Sequence, residues 1–208
     1  EDCAEAHGAK FKGDRVGSFG DINCFSFFAN KIITTGEGGM CLTQSKELSE
    51  KMKVYRDHGM NKNKRYWHDV IGYNYRMTNL QAAIGVGQLE RIEEIIAFRK
   101  DIEENYKTQL SLVSKLEFQL NLTDRKKTTW LVCALVTDGK RDQYMKQLNT
   151  MGVDCRPFFY PLSSMDIYQK YSGHCPVSAR ISNQGMNFPT SGKVDKETMD
   201  LIIKIFND

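Results

Sequence analysis

The run Cys24-Phe-Ser-Phe-Phe-Ala-Asn-Lys31-Ile-Ile-Thr-Thr-Gly-Glu-Gly-Gly39 decides how this chain is read. Its alternation and aromatic content predict a strand over 22–28. A second short strand is expected over 38–43, so the glycines connect two strands. Lys31 follows the first strand directly, which delivers its amine to a fixed place. A lysine held near apolar walls loses solvation, and its ammonium form is disfavoured. That is the condition a Schiff-base lysine requires. The glycine run Gly36-Glu-Gly-Gly39 opens no clear helix and has neither dinucleotide nor P-loop spacing, so it is read as a turn and not as a nucleotide-phosphate loop.

The chain opens Glu1-Asp2-Cys3-Ala4-Glu5-Ala6-His7-Gly8. An aspartate at a strand end, here Asp2, is the residue type that pairs with the protonated pyridine nitrogen of pyridoxal phosphate (PLP). These segments, with Gly17-Ser-Phe-Gly-Asp21, Gly72-Tyr-Asn-Tyr-Arg-Met-Thr-Asn-Leu-Gln-Ala-Ala83 and Arg156-Pro-Phe-Phe-Tyr-Pro161, closely resemble the DegT/DnrJ/EryC1/StrS nucleotide-sugar aminotransferases. The resemblance covers essentially the whole chain, and within that family the wording is nearest the perosamine-forming members.

The resemblance implies an α/β fold of PLP-dependent aminotransferase fold type I, with a mainly parallel sheet. It implies transfer of an amino group from L-glutamate to a nucleotide-linked 4-keto-6-deoxyhexose, the nucleotide being GDP, dTDP or UDP. Lys31 would hold PLP and shuttle the proton. Asp2 would face the pyridine nitrogen, Glu5 the cofactor's edge, and Ser26 the cofactor phosphate. Regular alternation puts Ser26 and Lys31 on opposite faces, so the chain must turn between them. Asn74 would reach the phosphate of a neighbouring subunit, which implies a homodimer with shared active sites. Arg156 and Tyr160 would approach the sugar or the glutamate carboxylate, an arginine being able to hold a carboxylate bidentately; a structural ion pair is the alternative for Arg156. Ser163 stands where relatives often carry histidine. A PLP-dependent sugar dehydratase of the same family is a second reading, although such enzymes resemble this one with histidine in place of Lys31. Family members carry a substantial portion before this point, so the chain is expected to be the C-terminal part of a longer enzyme. A non-catalytic fragment with an incomplete cofactor site is the third reading.

With 40% hydrophobic and 26% charged residues, the composition is that of an ordinary globular protein. A net charge of +3 gives no basic stripe for nucleic acid. The six cysteines show no CxxC spacing, which favours reduced thiols in a cytoplasmic protein over a disulfide framework. Four scattered histidines give no metal signature, and no apolar stretch is long enough to span a membrane.

Ser45 is expected to start a helix that His58-Gly59 ends. Thr78-Asn-Leu-Gln81 is a capping-box pattern, opening a long helix to about Leu110 in which Gly85 and Gly87 are costly and call for close packing against another backbone. Thr129–Thr137 is a near-continuous apolar strand, expected to be buried on both faces. A helix over 142–151 and a strand over 153–156 follow, and residues 157–161 break regular structure. Asp195 should cap the last helix, with Val194 and Met199 forming a hydrophobic staple. The resulting division is residues 1–90 as the C-terminal part of a large PLP-binding domain, 91–110 as a linking helix, and 111–208 as a small α+β domain.

Overall fold

The computed structural model describes residues 1–192 and 194–207. In chain order the first elements are β1 (Lys10–Phe11), β2 (Asp14–Arg15), β3 (Asn23–Ser26), β4 (Gly39–Leu42), α1 (Lys46–Arg56), α2 (Asn79–Leu89) and α3 (Ile92–Gln109). There follow β5 (Leu116–Phe118), β6 (Arg125–Lys126), β7 (Val132–Val136), α4 (Arg141–Thr150), β8 (Arg156–Pro157), α5 (Pro176–Gln184), β9 (Gly185–Phe188) and α6 (Lys196–Asn207). Two compact units emerge: residues 1–97 with 121–130, and residues 98–120 with 131–208.

In the first unit β3 pairs antiparallel with β4, Cys24 standing opposite Cys41. The mainly parallel sheet implied by the family resemblance is represented, among the described residues, by one parallel bridge from Asp2 to Cys24. Helix α1 starts where Ser45 accepts the Leu48 N–H, as its sequence predicts. Its end is closed by the Gly59 N–H on the Val54 carbonyl. Thr78 and Gln81 form the expected reciprocal capping box of α2.

The single long helix expected from Thr78 to Leu110 is instead two. The Arg91 N–H reaches back only to the Gln88 carbonyl, 3.1 Å away, which tightens the last turn of α2. Helix α3 then begins afresh, its first turn braced by the Arg91 guanidinium on Glu94. The glycines ahead of this break do not meet another backbone. A Cβ at Gly85 would lie 3.0 Å from the Thr35 side chain, and one at Gly87 would meet nothing within 4 Å. No residue of α2 is buried; Leu80, Ile84, Val86 and Leu89 all lie open.

The second unit is a four-stranded antiparallel sheet in the order β5-β7-β9-β8. Strand β7 is not buried on both faces. Val132, Ala134 and Val136 are buried while Cys133 and Leu135 are half-buried, the alternation of a sheet with one face in the core. That core joins Tyr106, Leu148, Met186, Phe188, Ile202 and Phe206. Where a strand was expected over 153–156, β8 is Arg156–Pro157. Pro157 fits there because β8 is an edge strand and proline lacks a donor N–H. The Arg141 Nη1 donates to the carbonyls of Ser182 (3.1 Å) and Gly185 (2.7 Å), tying α4 to the α5–β9 corner. Asp195 accepts the Thr198 N–H at 2.8 Å and caps α6; the Met199 side chain is buried and Val194 packs on the same core. Among the described residues no helix is long and apolar enough to cross a membrane.

Candidate active site

The chain turns sharply after β3. The Phe27 N–H makes one further rung to Gly38, and the Lys31 N–H then folds back onto the Phe28 carbonyl at 3.0 Å. The loop closes on itself. The Thr35 N–H and the Thr34 hydroxyl both donate to the Phe27 carbonyl, and the Thr35 hydroxyl donates to Glu37. Gln88 of α2 accepts the Thr34 N–H at 2.9 Å. Ile32 and Ile33, directly after the lysine, are buried and anchor the loop. Gly36, at φ +79°, supplies the left-handed turn. Ser26 closes β3 and accepts the Phe28 N–H at 3.3 Å, so the turn between Ser26 and Lys31 is real.

The Lys31 side chain is only 11% exposed, and its amine meets charged and aromatic partners as well as apolar walls. It forms an ion pair with Glu5 and lies 4.4 Å from the centroid of the Trp130 ring. A carboxylate and a π face both attract a cation. The indole N–H of Trp130 donates to the Asn30 carbonyl at 2.7 Å, which fixes the ring beside the amine. Glu5, expected at a cofactor's edge, is thus a direct partner of Lys31.

Asp2 is exposed at its bridge with Cys24, and its Oδ1 accepts the Ala4 N–H at 3.0 Å. Asn74 is exposed and bridged to Asp57. The strip carrying it, Gly72-Tyr-Asn, runs against the end of α1: the Tyr73 N–H donates to Tyr55 and the His58 N–H to Tyr73. Glycine is required at Gly72, where a Cβ would stand 2.0 Å from the Gly59 nitrogen. In the second unit the Arg156 guanidinium pairs with Asp154 at 2.9 Å, which raises its already high pKa further. Tyr160 is 75% exposed, and Ser163 lies in a short 3-10 turn over Leu162–Ser164.

Two residues of this region escape sequence reasoning. Trp130 sits at the start of an apolar run and carries no local signal for a contact with Lys31. His7 is buried with neither ring nitrogen hydrogen-bonded. It packs between Phe25 and Phe27, at ring-centroid distances of 5.3 and 5.8 Å. Burial, reinforced by the Lys31 cation and opposed by Glu5, holds His7 below the ordinary histidine range. The usable signal is the Phe25/Phe27 alternation, which gives β3 and the residue just after it an aromatic side that something must cover. Among the described residues no cluster of His, Cys, Asp and Glu could hold a metal ion.

Residues 1–207 match the DegT/DnrJ/EryC1/StrS aminotransferase family. The chain is 40% identical to the GDP-perosamine synthase of Escherichia coli O157:H7, over all of this chain and 57% of that protein. It is 41% identical to the GDP-perosamine synthase of Vibrio cholerae, over all of this chain and 59% of that protein. Among solved structures, the aminotransferase TlmJ of Streptoalloteichus hindustanus superposes with a TM-score of 0.89 at 26% identity, covering 99% of this chain and 56% of that one. The chain therefore spans a little over half the length of the relatives it matches.

Proposed function

The chain belongs to the DegT/DnrJ/EryC1/StrS aminotransferase family, and we propose that it carries the lysine-bearing part of a PLP-dependent nucleotide-sugar aminotransferase. The observation that supports this most is the Lys31 amine, held by a self-closed loop between Glu5 and the pinned Trp130 ring. The donor set fits the cofactor: an amine for its aldehyde, the exposed Asp2 carboxylate for its pyridine nitrogen, and the Ser26 hydroxyl for its phosphate. When bound, PLP supplies the aldehyde that carries the amino group and the ring that acts as electron sink.

Lys31 Nζ would remove the proton from the α-carbon of L-glutamate and later deliver one to the sugar carbon that receives the amine. Glu5, already paired with that amine, would orient it. Arg156 and Tyr160 would serve the glutamate carboxylate or the sugar. The substrate reading is a GDP-linked 4-keto-6-deoxyhexose, after the two GDP-perosamine synthases about 40% identical to the chain. Asn74 would complete the site of a second copy in a homodimer. A cytoplasmic location fits the six free cysteines. The dehydratase reading is disfavoured by Lys31 itself, which stands where that reading expects histidine.

The test is the visible absorbance of the purified protein with PLP, before and after L-glutamate, beside Lys31→Ala. A cofactor band that bleaches with glutamate and is missing from the variant supports the transaminase reading. Absence of the band in the unsubstituted protein sinks Lys31 as the cofactor lysine and favours a non-catalytic fragment. Release of an eliminated sugar, with no amine transferred, favours the dehydratase.

A further inference from the structure

We propose that Cys24 and Cys41 form a peroxide-responsive thiol pair that closes to a disulfide across β3 and β4. The register puts the two directly opposite each other, with their sulfurs 3.7 Å apart. The hydrogen-bond pattern shows which kind of pair this is. The Cys24 N–H donates to Glu1, and the Cys24 carbonyl accepts the Cys3 N–H, so both backbone groups point away from β4. Cys24 and Cys41 are therefore a non-hydrogen-bonded antiparallel pair, the closer of the two kinds, with Cα atoms typically about 4.5 Å apart. That separation lies within the disulfide range of about 4.4–6.8 Å. The bond needs only a rotation of the two side chains, not a shift of the strands.

Access distinguishes this pair from the buried cysteines, and adjacency distinguishes it from the rest. Cys24 and Cys41 are exposed and open into a groove of about 760 Å³ that Met40, Met52, Tyr55 and Tyr73 also line. Cys3 and Cys155 are buried. Cys133 bonds to Asn187, and Cys175 is exposed on a different unit. Partial desolvation of its sulfur and the hydrogen bond to Cys24 push the Cys41 thiol up.

The chemistry balances with a peroxide as oxidant. The Cys24 thiolate attacks the O–O bond; one oxygen stays on sulfur as a sulfenic acid and the other leaves as hydroxide. Cys41 sulfur then displaces that sulfenic oxygen, which departs as water with the Cys41 proton. Two thiols are oxidised and one peroxide is reduced to two waters. The ring so closed contains Ser26, Lys31 and the glycine turn, but its formation does not depend on the aminotransferase reading.

The test is a peptide map of the purified full chain after hydrogen peroxide treatment, alkylation and trypsin digestion without reductant. Cleavage after Arg15, Lys31 and Lys46 puts Cys24 and Cys41 on the neighbouring peptides Val16–Lys31 and Ile32–Lys46. The expected product is these two joined, lighter by two hydrogens than their sum and separated by dithiothreitol. Cys24→Ser and Cys41→Ser should each abolish it. Both thiols recovered alkylated, over-oxidation of either without a cross-link, or Cys24 joined to any other cysteine would overturn the proposal. Because the map of the unsubstituted chain is decisive by itself, a variant that fails to fold does not rescue it.

Discussion

At the scale of single residues, the environment of Lys31 is set by contacts from far along the chain. Glu5 and Trp130 both reach the amine, and His7 lies buried beside them with its two ring nitrogens unpaired. His7 has a consequence for stability. Its folded pKa lies below the ordinary value because burial disfavours the imidazolium. The unfolded chain then binds the proton more readily than the fold does, so the proton-linked cost of this residue vanishes above about pH 6.5 and grows as pH falls below it. Urea midpoints at about pH 8 and about pH 5.5 should differ more for the unsubstituted chain than for His7→Phe, which keeps an aromatic between Phe25 and Phe27. An equal pH dependence in the two proteins would refute this. The turn that carries Lys31 is legible in sequence, because an aromatic strand and a glycine run flank it, whereas the roles proposed for Asp2 and Ser26 rest on the family resemblance. Trp130 and His7 are not legible, because their roles come from tertiary contacts that no local pattern encodes.

At the scale of elements, the helix starts are specified by local sequence. The Ser45 cap, the Thr78–Gln81 capping box and the Asp195 cap each depend on residues three apart. The break between α2 and α3 leaves no mark in the sequence, since apolar spacing continues through Glu90 and Arg91 while the hydrogen bonds tighten beneath it. Strand β9 is short and lacks a clear alternation; its identity comes from pairing with β7 and β8. The Gly72-Tyr-Asn strip was visible as a motif, but its reason was not: two backbone segments approach so closely that neither Gly59 nor Gly72 has room for a side chain. Gly72→Ala should therefore destabilise by about 1–3 kcal/mol, the usual cost of overpacking. Urea unfolding measures this, and amide exchange at Tyr73 and Tyr75 should accelerate as the strip lifts from α1. Unchanged stability would mean that the strip can shift without loss.

At the scale of the whole molecule, the two units differ in how their apolar residues are used. The second gathers Tyr106, Leu148, Phe188 and Phe206 into one core. In the first, α2 is apolar along most of its length and buries nothing. Composition could not reveal that difference, since both units draw on the same residue types and only the packing separates them. Leu80 and Ile84, which are 81% and 53% exposed, are well placed to test its effect. Leu80→Glu combined with Ile84→Glu should lower light scattering and hydrophobic-dye binding by the 208-residue chain, while its unfolding midpoint moves little. Undiminished scattering would mean that α2 does not drive association of the chain. Seen colloidally, α2 turns a question of folding into one of concentration: a helix whose apolar side chains lie open should make scattering rise with protein level while the fold itself stays intact.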